Sequence, residues 1–454
     1  MTRETWTTRV GFILAAVGSA VGLGNIWQFP FKTAEFGGAT FLVVYLLAAL
    51  CIGLPAILAE FVVGRRANLN VVGAFRGLGH PRWRFVGVVG LFTGFWILSY
   101  YSVVGGWVLR YVAGSATGAY FADPAAYFGA ISAGLDALAL HAVFMVLVAG
   151  IVALGVEDGI EKATRLMVPS IVVILLALAL WAVTIPGAGA GYTYYLSPNF
   201  GELASDIDEI VPFAVGQAFF SLSLGMGAMI TYSSYLDGDD SLAADGATIV
   251  LFNTFVGVLA GFVVFPLLFA QGIAPDESGP GAVFVSLATA FSELPAGRVL
   301  GVAFFLVVLI AALSSAISLL EVVVSYVIDN YDVGRAPTAA GLGAAIFLLG
   351  VPSALDVAWL GWFDALTYNL YLPLSVLLVL VFVGWVLGAD AVDEVRKGTG
   401  GAETPAVAWL WTVRVVVLLA VFGTLALGLQ TLFLEGGIVP PIDFDPDVLI
   451  RYES

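Results

Sequence analysis

The chain predicts an all-α integral membrane protein of about eleven transmembrane helices, and three observations carry that prediction. Of its 454 residues 60% are hydrophobic and 11% charged, with a mean hydropathy of +1.01. That is far more apolar surface than a soluble core could bury. The apolar residues also fall in runs long enough to span a bilayer, which takes about 20 residues per helix. Finally, two of these runs are interrupted midway by glycine and small polar residues, at Gly18-Ser-Ala-Val-Gly-Leu-Gly24 and Ser221-Leu-Ser-Leu-Gly-Met-Gly227.

Segment 1 spans 9–32. Its apolar stretch from Val10 to Phe31 is longer than the roughly 7–15 residue core of a signal peptide, and the many spans that follow make it a membrane helix. Segments 2 (39–63) and 3 (85–113) flank a basic loop, and segments 4 (138–155) and 5 (166–186) flank Lys162 and Arg165. Segment 6 (211–236) holds the second interruption and is followed by 7 (246–272), 8 (297–328), 9 (338–352) and 10 (360–388). Between 7 and 8, Ser278 to Pro295 reads as a helical external cap. Segment 11 (406–433) follows the glycine-rich linker Lys397-Gly-Thr-Gly-Gly-Ala402. Short loops leave no room for a soluble domain, so the expectation is one membrane domain over 1–454: two five-helix halves, 9–186 and 211–388, and one additional helix.

Basic residues set the orientation. Arg3, Arg9, Arg65, Arg66, Arg76, Arg82, Arg84, Lys162, Arg165, Arg396 and Lys397 fall on one side, which is expected to be cytoplasmic. The opposite loops carry Asp123, Asp136, Glu202, Asp206, Asp208 and Glu209. An odd number of spans then puts the N-terminus inside and the C-terminus outside a plasma membrane. The net charge of -16 comes from loops and the tail after Glu435. An acidic surface of this kind serves solubility rather than a ligand, and nothing points to nucleic acid. Lysine occurs only at 32, 162 and 397, a scarcity that fits a high-salt environment, where salt screens an acidic surface. Cys51 is the single cysteine, so no disulfide forms within the chain.

Catalysis finds no support. His80 and His141 have no cysteine or carboxylate at metal-ligand spacing, and no phosphate loop or nucleophile elbow is present. What the membrane segments contain instead are small oxygen donors: Asn25, Ser221, Ser223, Asn253, Ser314 and Ser315. Any one hydroxyl has a plain role in satisfying a carbonyl or joining helices. An unwound turn adds something more, because unpaired peptide groups survive in hydrocarbon only when buried in protein or lining a cavity. Oxygen donors beside such a turn suit a hard cation, and the lack of clustered carboxylates argues for sodium over calcium. A broken helix at the start of each half is the pattern of secondary transporters built from inverted repeats.

The residues around the first break, from Arg3-Glu-Thr-Trp-Thr-Thr-Arg-Val-Gly through Gly18 to Asn25-Ile-Trp-Gln-Phe-Pro30, closely resemble the opening of the neurotransmitter:sodium symporter family. Further matches are Gln217-Ala-Phe-Phe-Ser-Leu-Ser-Leu-Gly-Met-Gly227, Ala311-Ala-Leu-Ser-Ser315 with Ser318-Leu-Leu-Glu-Val-Val-Val324, and Asp364-Ala-Leu-Thr-Tyr-Asn369. They run across segments 1 to 10.

The resemblance implies two sodium sites. One would use the Ala20 carbonyl, Asn25, Ser221 and Asn253, with the substrate carboxylate as a further ligand. The other would use the Gly18, Val21 and Ala311 carbonyls with Ser314 and Ser315. An amino acid would lie between Ala20, Gly22, Leu23 and Gly24, where a helix start favours its carboxylate and a helix end its ammonium. Tyr101 would hold the carboxylate. Ile97, Phe220, Ser223, Met226, Ser315 and Leu319 would line an apolar side-chain pocket, Ser221 would also contact the substrate, and the pliant Met226 admits bulky or aromatic side chains. Gly22 stands where amine-carrying relatives have an aspartate, so the substrate is expected to bring its own carboxylate.

The family's cytoplasmic gate maps onto Arg3 and Asp329, with Trp6 and Tyr235 beside them. Its outer gate pairs an arginine with an aspartate, but here the positions read Gln28 and Asp364, so a hydrogen bond is expected in place of a salt bridge. Glu60 and Glu321 lie deep in segments 2 and 8 and are read as bracing helix 1. Chloride-independent relatives supply a carboxylate near the first sodium site, whereas this chain has Asn253 and Gly257. Bound chloride, held by Tyr45, Gln217, Ser221 and Asn253, is the expectation that follows. The overall reading is sodium-coupled import of a hydrophobic or aromatic amino acid, with a non-transporting sensor or a channel on the same fold as the alternative.

Overall fold

The structure, a computed structural model, describes residues 5–236, 240–273, 281–398, 403–434 and 436–441. Among these residues the chain is helical throughout, with no strand. The first membrane helix, α1, is a pair, Arg9–Ala20 and Gly24–Glu35, bent by 48° at its break. There follow α2 (Ala39–Ala67), α3 (Pro81–Thr117), α4 (Gly134–Ala153) and α5 (Val156–Ala182). A second broken helix, α6 (Ile207–Ser221 and Ala228–Ser233), opens the later half. The series closes with α7 (Leu242–Ala270), α8 (Gly297–Asn330), α9 (Arg335–Leu355), α10 (Val357–Leu387) and α11 (Thr404–Leu434). Nine described helices are each long and apolar enough to cross a membrane, and the α1 pair makes ten. The shorter α6 pair completes the eleven segments.

Both breaks have local causes. The inner half of α1 stops because Val21 turns to an extended conformation (φ −77°, ψ 95°), and its last helical bond is Val21 N–H to the Val17 carbonyl at 2.6 Å. In α6 three residues within five adopt positive φ: Ser223 (53°), Gly225 (77°) and Gly227 (76°). Glycine accepts that conformation freely, but a serine there costs about 1–2 kcal/mol. Ser223 is held in place by donating its hydroxyl to the Ser19 carbonyl at 2.8 Å. Strain at Ser223 is thus secured by the partner break, which couples the two.

The frame around them is closely packed. The 34-residue helices Arg84–Thr117 within α3 and Gly297–Asn330 make the most extensive helix contact in the molecule, and α4 packs along α9. The inner half of α1 lies against α5, α7 and α8. A close approach is built in at Gly94 of α3, where an added Cβ would sit 2.8 Å from the Met226 carbonyl.

The expected cap is a helix at Ala282–Ser292, touching α1 through Phe284 and Trp27, whose ring centroids lie 6.0 Å apart. Its expected start at 278–280 and most of the 397–402 linker (399–402) lie outside the described residues. Glu60 requires a correction: its Oε1 accepts the Gly225 N–H at 2.7 Å, so it braces the break in α6 rather than α1. The reason is that the left-handed turn points that N–H away from any helical acceptor. Glu321 likewise bonds Tyr235 (2.7 Å) and Arg335 (2.6 Å). His141 is buried between α4 and α9, its Nε2 3.1 Å from the Phe347 carbonyl, a packing role.

Candidate ion and substrate site

The two breaks meet at the centre of the fold, and oxygen atoms converge there. The oxygen end of the Asn253 side chain accepts from Asn25 Nδ2 at 2.9 Å and lies 2.9 Å from the Ser221 carbonyl and 3.1 Å from that of Ala20. Three oxygens therefore face one another with a proton available from only one side. Turning the amide over would give the carbonyls an N–H, but it would then point at the Asn25 N–H group. A cation between the oxygens removes the conflict on both sides. Asn25 Oδ1 accepts the Gly22 N–H at 3.3 Å, so this side chain also spans the turn.

A second cluster joins α1 to α8. Ser314 Oγ lies 3.4 Å from the Val21 carbonyl and 2.9 Å from that of Ala311, and Ser315 Oγ lies 3.4 Å from the Gly18 carbonyl. All five residues expected at the second site are thus brought together. The shortest bond of Ser315, however, runs to the Ser19 carbonyl at 2.9 Å.

Beside these clusters a cavity of about 20 Å³ is lined by Ser19, Ala20, Gly22, Gly24, Ile97, Tyr101, Phe220, Ser223, Met226, Ser315 and Leu319. Every residue expected in the side-chain pocket is among them, whereas Ser221, expected at the substrate, is not. Leu23 contributes its N–H, which donates to Tyr101 Oη at 3.1 Å. A cavity of this size holds about one water, so its walls must part for an amino acid to enter. Gly22 has no space for a side chain: a Cβ would collide with Ser315 Oγ and approach Tyr101 Oη to 3.0 Å. A side chain there requires Ser315 and Tyr101 to shift.

The sequence reading missed Ser19. Its Oγ donates to Ser318 Oγ (2.7 Å) or to Ser223 Oγ (3.2 Å), while Ser318 donates to the Ser315 carbonyl (2.7 Å). The pocket floor is therefore polar, its hydroxyl protons committed and its oxygen lone pairs to spare. The signal was the chain of serines at 19, 223, 315 and 318, invisible until the helices cross.

Of the chloride candidates, the Tyr45 and Ser221 hydroxyls lie 3.1 Å apart, and Asn253 adjoins them. Gln217 departs from the expectation: its Nε2 donates to the Gly24 carbonyl at 2.7 Å, which also accepts the Phe29 N–H of the outer half, and its Oε1 has no partner among the described residues. Gly257 faces Asn25 and Phe29, with room for a Cβ 3.6 Å from each.

The outer gate differs from expectation. Gln28 and Asp364 do not bond one another; Tyr368 Oη donates to Gln28 Oε1 at 2.6 Å and Tyr100 Oη to Asp364 Oδ1 at 3.0 Å. An amide and a carboxylate leave bonding capacity that tyrosine hydroxyls fill. Tyr368 also stacks on Phe220, with ring centroids 5.2 Å apart, so gate and pocket share a wall. Its place one turn after Asp364 was the available signal.

On the other side, Arg3 lies outside the described residues. Asp329 accepts from Asn70 at 3.3 Å (N) and 3.0 Å (Nδ2), and Trp6 Nε1 donates to the Tyr232 carbonyl at 2.9 Å. Tyr235 meets Trp6 through its carbonyl at 3.4 Å. Two contacts not foreseen hold the inner half of α1: Arg9 to Asp245 at 2.7 Å, and Glu161, which accepts the Thr7 N–H at 2.9 Å while paired with Arg165 at 2.5 Å.

Two unwound membrane helices meeting around a small central cavity, within a bundle of membrane-length apolar helices, define a multi-pass membrane transporter. The model of the sodium:neurotransmitter symporter family matches residues 3–122 and 129–435. The chain is 35% identical to the sodium-dependent transporter YhdH of Bacillus subtilis, over 92% of this chain and 95% of that one, and 36% identical to the sodium-dependent transporter MJ1319 of Methanocaldococcus jannaschii, over 87% and 84%. Among solved structures it is similar to MhsT in complex with L-phenylalanine, with a TM-score of 0.86 and 39% identity, covering 94% of this chain and 99% of that one. The chain belongs to the sodium:neurotransmitter symporter family, whose members are sodium-dependent transporters and not enzymes.

Proposed function

We propose that this protein imports a hydrophobic or aromatic amino acid together with two sodium ions, by alternating access. The observation that carries the reading is the convergence of the Ser221 and Ala20 carbonyls on the Asn253 side-chain amide at the meeting of the two breaks. The first ion sits among these oxygens with Asn25, and the amino-acid carboxylate completes its shell. The second sits among Gly18, Val21, Ala311, Ser314 and Ser315 and clamps α1 to α8. The carboxylate takes the Leu23 and Gly24 N–H groups and the Tyr101 hydroxyl; the ammonium takes carbonyls ending the inner half of α1. Phenylalanine bound by the similar MhsT supports the substrate class.

The polar floor at Ser19 favours a side chain that carries a donor, tryptophan or tyrosine, over phenylalanine. Gly22, packed on Ser315 and Tyr101, leaves the substrate to supply its own carboxylate. Chloride beside Tyr45, Ser221 and Asn253 balances the sodium charge, next to the space left at Gly257. The chain forms one domain of two repeats, 9–186 and 211–388, with the N-terminus cytoplasmic and the C-terminus outside the plasma membrane. Moving one charge through 100 mV releases about 2.3 kcal/mol, so two sodium ions alone sustain roughly a thousandfold gradient of a zwitterion before their own gradient counts, and co-transported chloride halves that electrical part.

The test is uptake of a panel of radiolabelled amino acids into proteoliposomes, with sodium or choline outside. Accumulation is expected only with sodium, and uptake independent of sodium refutes the coupling. Binding without counterflow would establish the sensor instead, and full uptake with gluconate in place of chloride refutes the chloride site.

A further inference from the structure

Arg414 lies within the membrane helix α11, and among the described residues no carboxylate pairs with it. Its Nε donates to the Gly384 carbonyl of α10 at 2.6 Å. The guanidinium lies 5.3 Å from the ring centroid of Trp385 and 5.1 Å from that of Trp411, within cation–π range. Both rings are more than half exposed, at 59% and 54%, and the neighbouring Val415, Val416 and Leu419 are exposed too, so this face meets lipid. The terminal Nη groups take no acceptor from the described protein. Asp390, just past the end of α10, is engaged by Arg66 at 3.1 Å.

A guanidinium inside a bilayer needs its donors satisfied, and near a helix end it reaches the headgroup layer to do so. Gly384 is about 5 Å along the helix from the end of α10, on the face that carries Arg9, Arg65, Arg66 and Lys397. Tryptophan pairs at such a level mark the membrane interface. We propose that Arg414, between Trp385 and Trp411, binds the phosphate of an anionic phospholipid headgroup in the leaflet on this Arg-rich face. The planar donor fork matches two phosphate oxygens, and the apolar surface below the rings takes the acyl chain. An anionic lipid is selected because the guanidinium meets a headgroup of net negative charge, and among the described residues no carboxylate pairs with Arg414 to attract a choline or ethanolamine ammonium.

The full chain is purified in mild detergent and titrated with phosphatidylglycerol, phosphatidylcholine or inorganic phosphate, and retained lipid is read by native mass spectrometry. Wild type is expected to retain phosphatidylglycerol at least threefold more tightly than phosphatidylcholine, with millimolar inorganic phosphate failing to displace it. Arg414→Gln should weaken retention about tenfold, while Arg110→Gln, which alters an exposed arginine near Asp136, should not. Equal retention of the two lipids by wild type overturns the proposal whether or not the variant folds. Displacement by inorganic phosphate, or unchanged retention in a folded Arg414→Gln, overturns it as well.

Discussion

The two halves of α1 are held by different chemistry. The inner half, Arg9–Ala20, is tied to α7 by Arg9 and Asp245 and to α5 by Glu161, with Trp6 on the α6 carbonyl of Tyr232. The outer half, Gly24–Glu35, meets α10 through the neutral bond of Gln28 and Tyr368, and its one lysine spends its charge on Glu35 of the same helix at 2.7 Å. Charged contacts with a buried partner are worth more than a neutral hydrogen bond. The Arg9 end of α1 is thus fastened more strongly than the Gln28 end, and the resting transporter is expected to open at the Gln28 end.

The largest test removes the inner anchor. Asp245→Asn leaves a hydrogen-bonding group but no charge; since Arg9 is 42% exposed and Asp245 1%, the loss is about 2 kcal/mol, roughly thirtyfold in the open population. A reporter cysteine at Ala16 in a Cys51→Ser background should become correspondingly more reactive, and an unchanged labelling rate would remove Asp245 from the gate. Next in size, Gln28→Arg places a cation beside Asp364 and should slow outward opening about tenfold. Unaltered transport kinetics would mean that positions 28 and 364 do not face each other during the cycle. Smaller still, Tyr368→Phe deletes one neutral bond, about 1 kcal/mol, and should raise outer accessibility about fivefold; this variant separates the bond from the retained stacking on Phe220. Smallest is Ser19→Ala, which should lower the preference for tryptophan over phenylalanine a few-fold in competition uptake, leaving phenylalanine uptake itself unaltered.

The frame and both breaks were legible because they rest on composition along the chain. Long apolar runs give the spans, and glycine with serine at mid-run gives the unwound turns. The family resemblance then placed the oxygen donors, and the structure brings Asn25, Ser221 and Asn253 together as one cluster. What escaped were choices of partner between helices far apart in sequence. Gln28 was matched to Asp364, yet helix rotation presents Tyr368 to one and Tyr100 to the other. Glu60 was assigned to the wrong break because a carboxylate in a helix does not reveal which neighbour turns an unpaired N–H toward it. Arg9 looked like one more orienting charge until Asp245, which sequence places 236 residues away, proved to be its partner.

The asymmetry of α1 is tested most directly by labelling rates of two reporters, one at Ala16 on the inner half and one at Ala34 on the outer half, where the Gln28–Tyr368 bond is left intact, each in Cys51→Ser protein in liposomes with sodium or choline. With sodium alone the outer reporter should react readily and the inner one hardly at all, and Asp245→Asn should reverse that order. An outer reporter shielded in sodium, with an inner one that reacts equally in wild type and Asp245→Asn, would contradict the account.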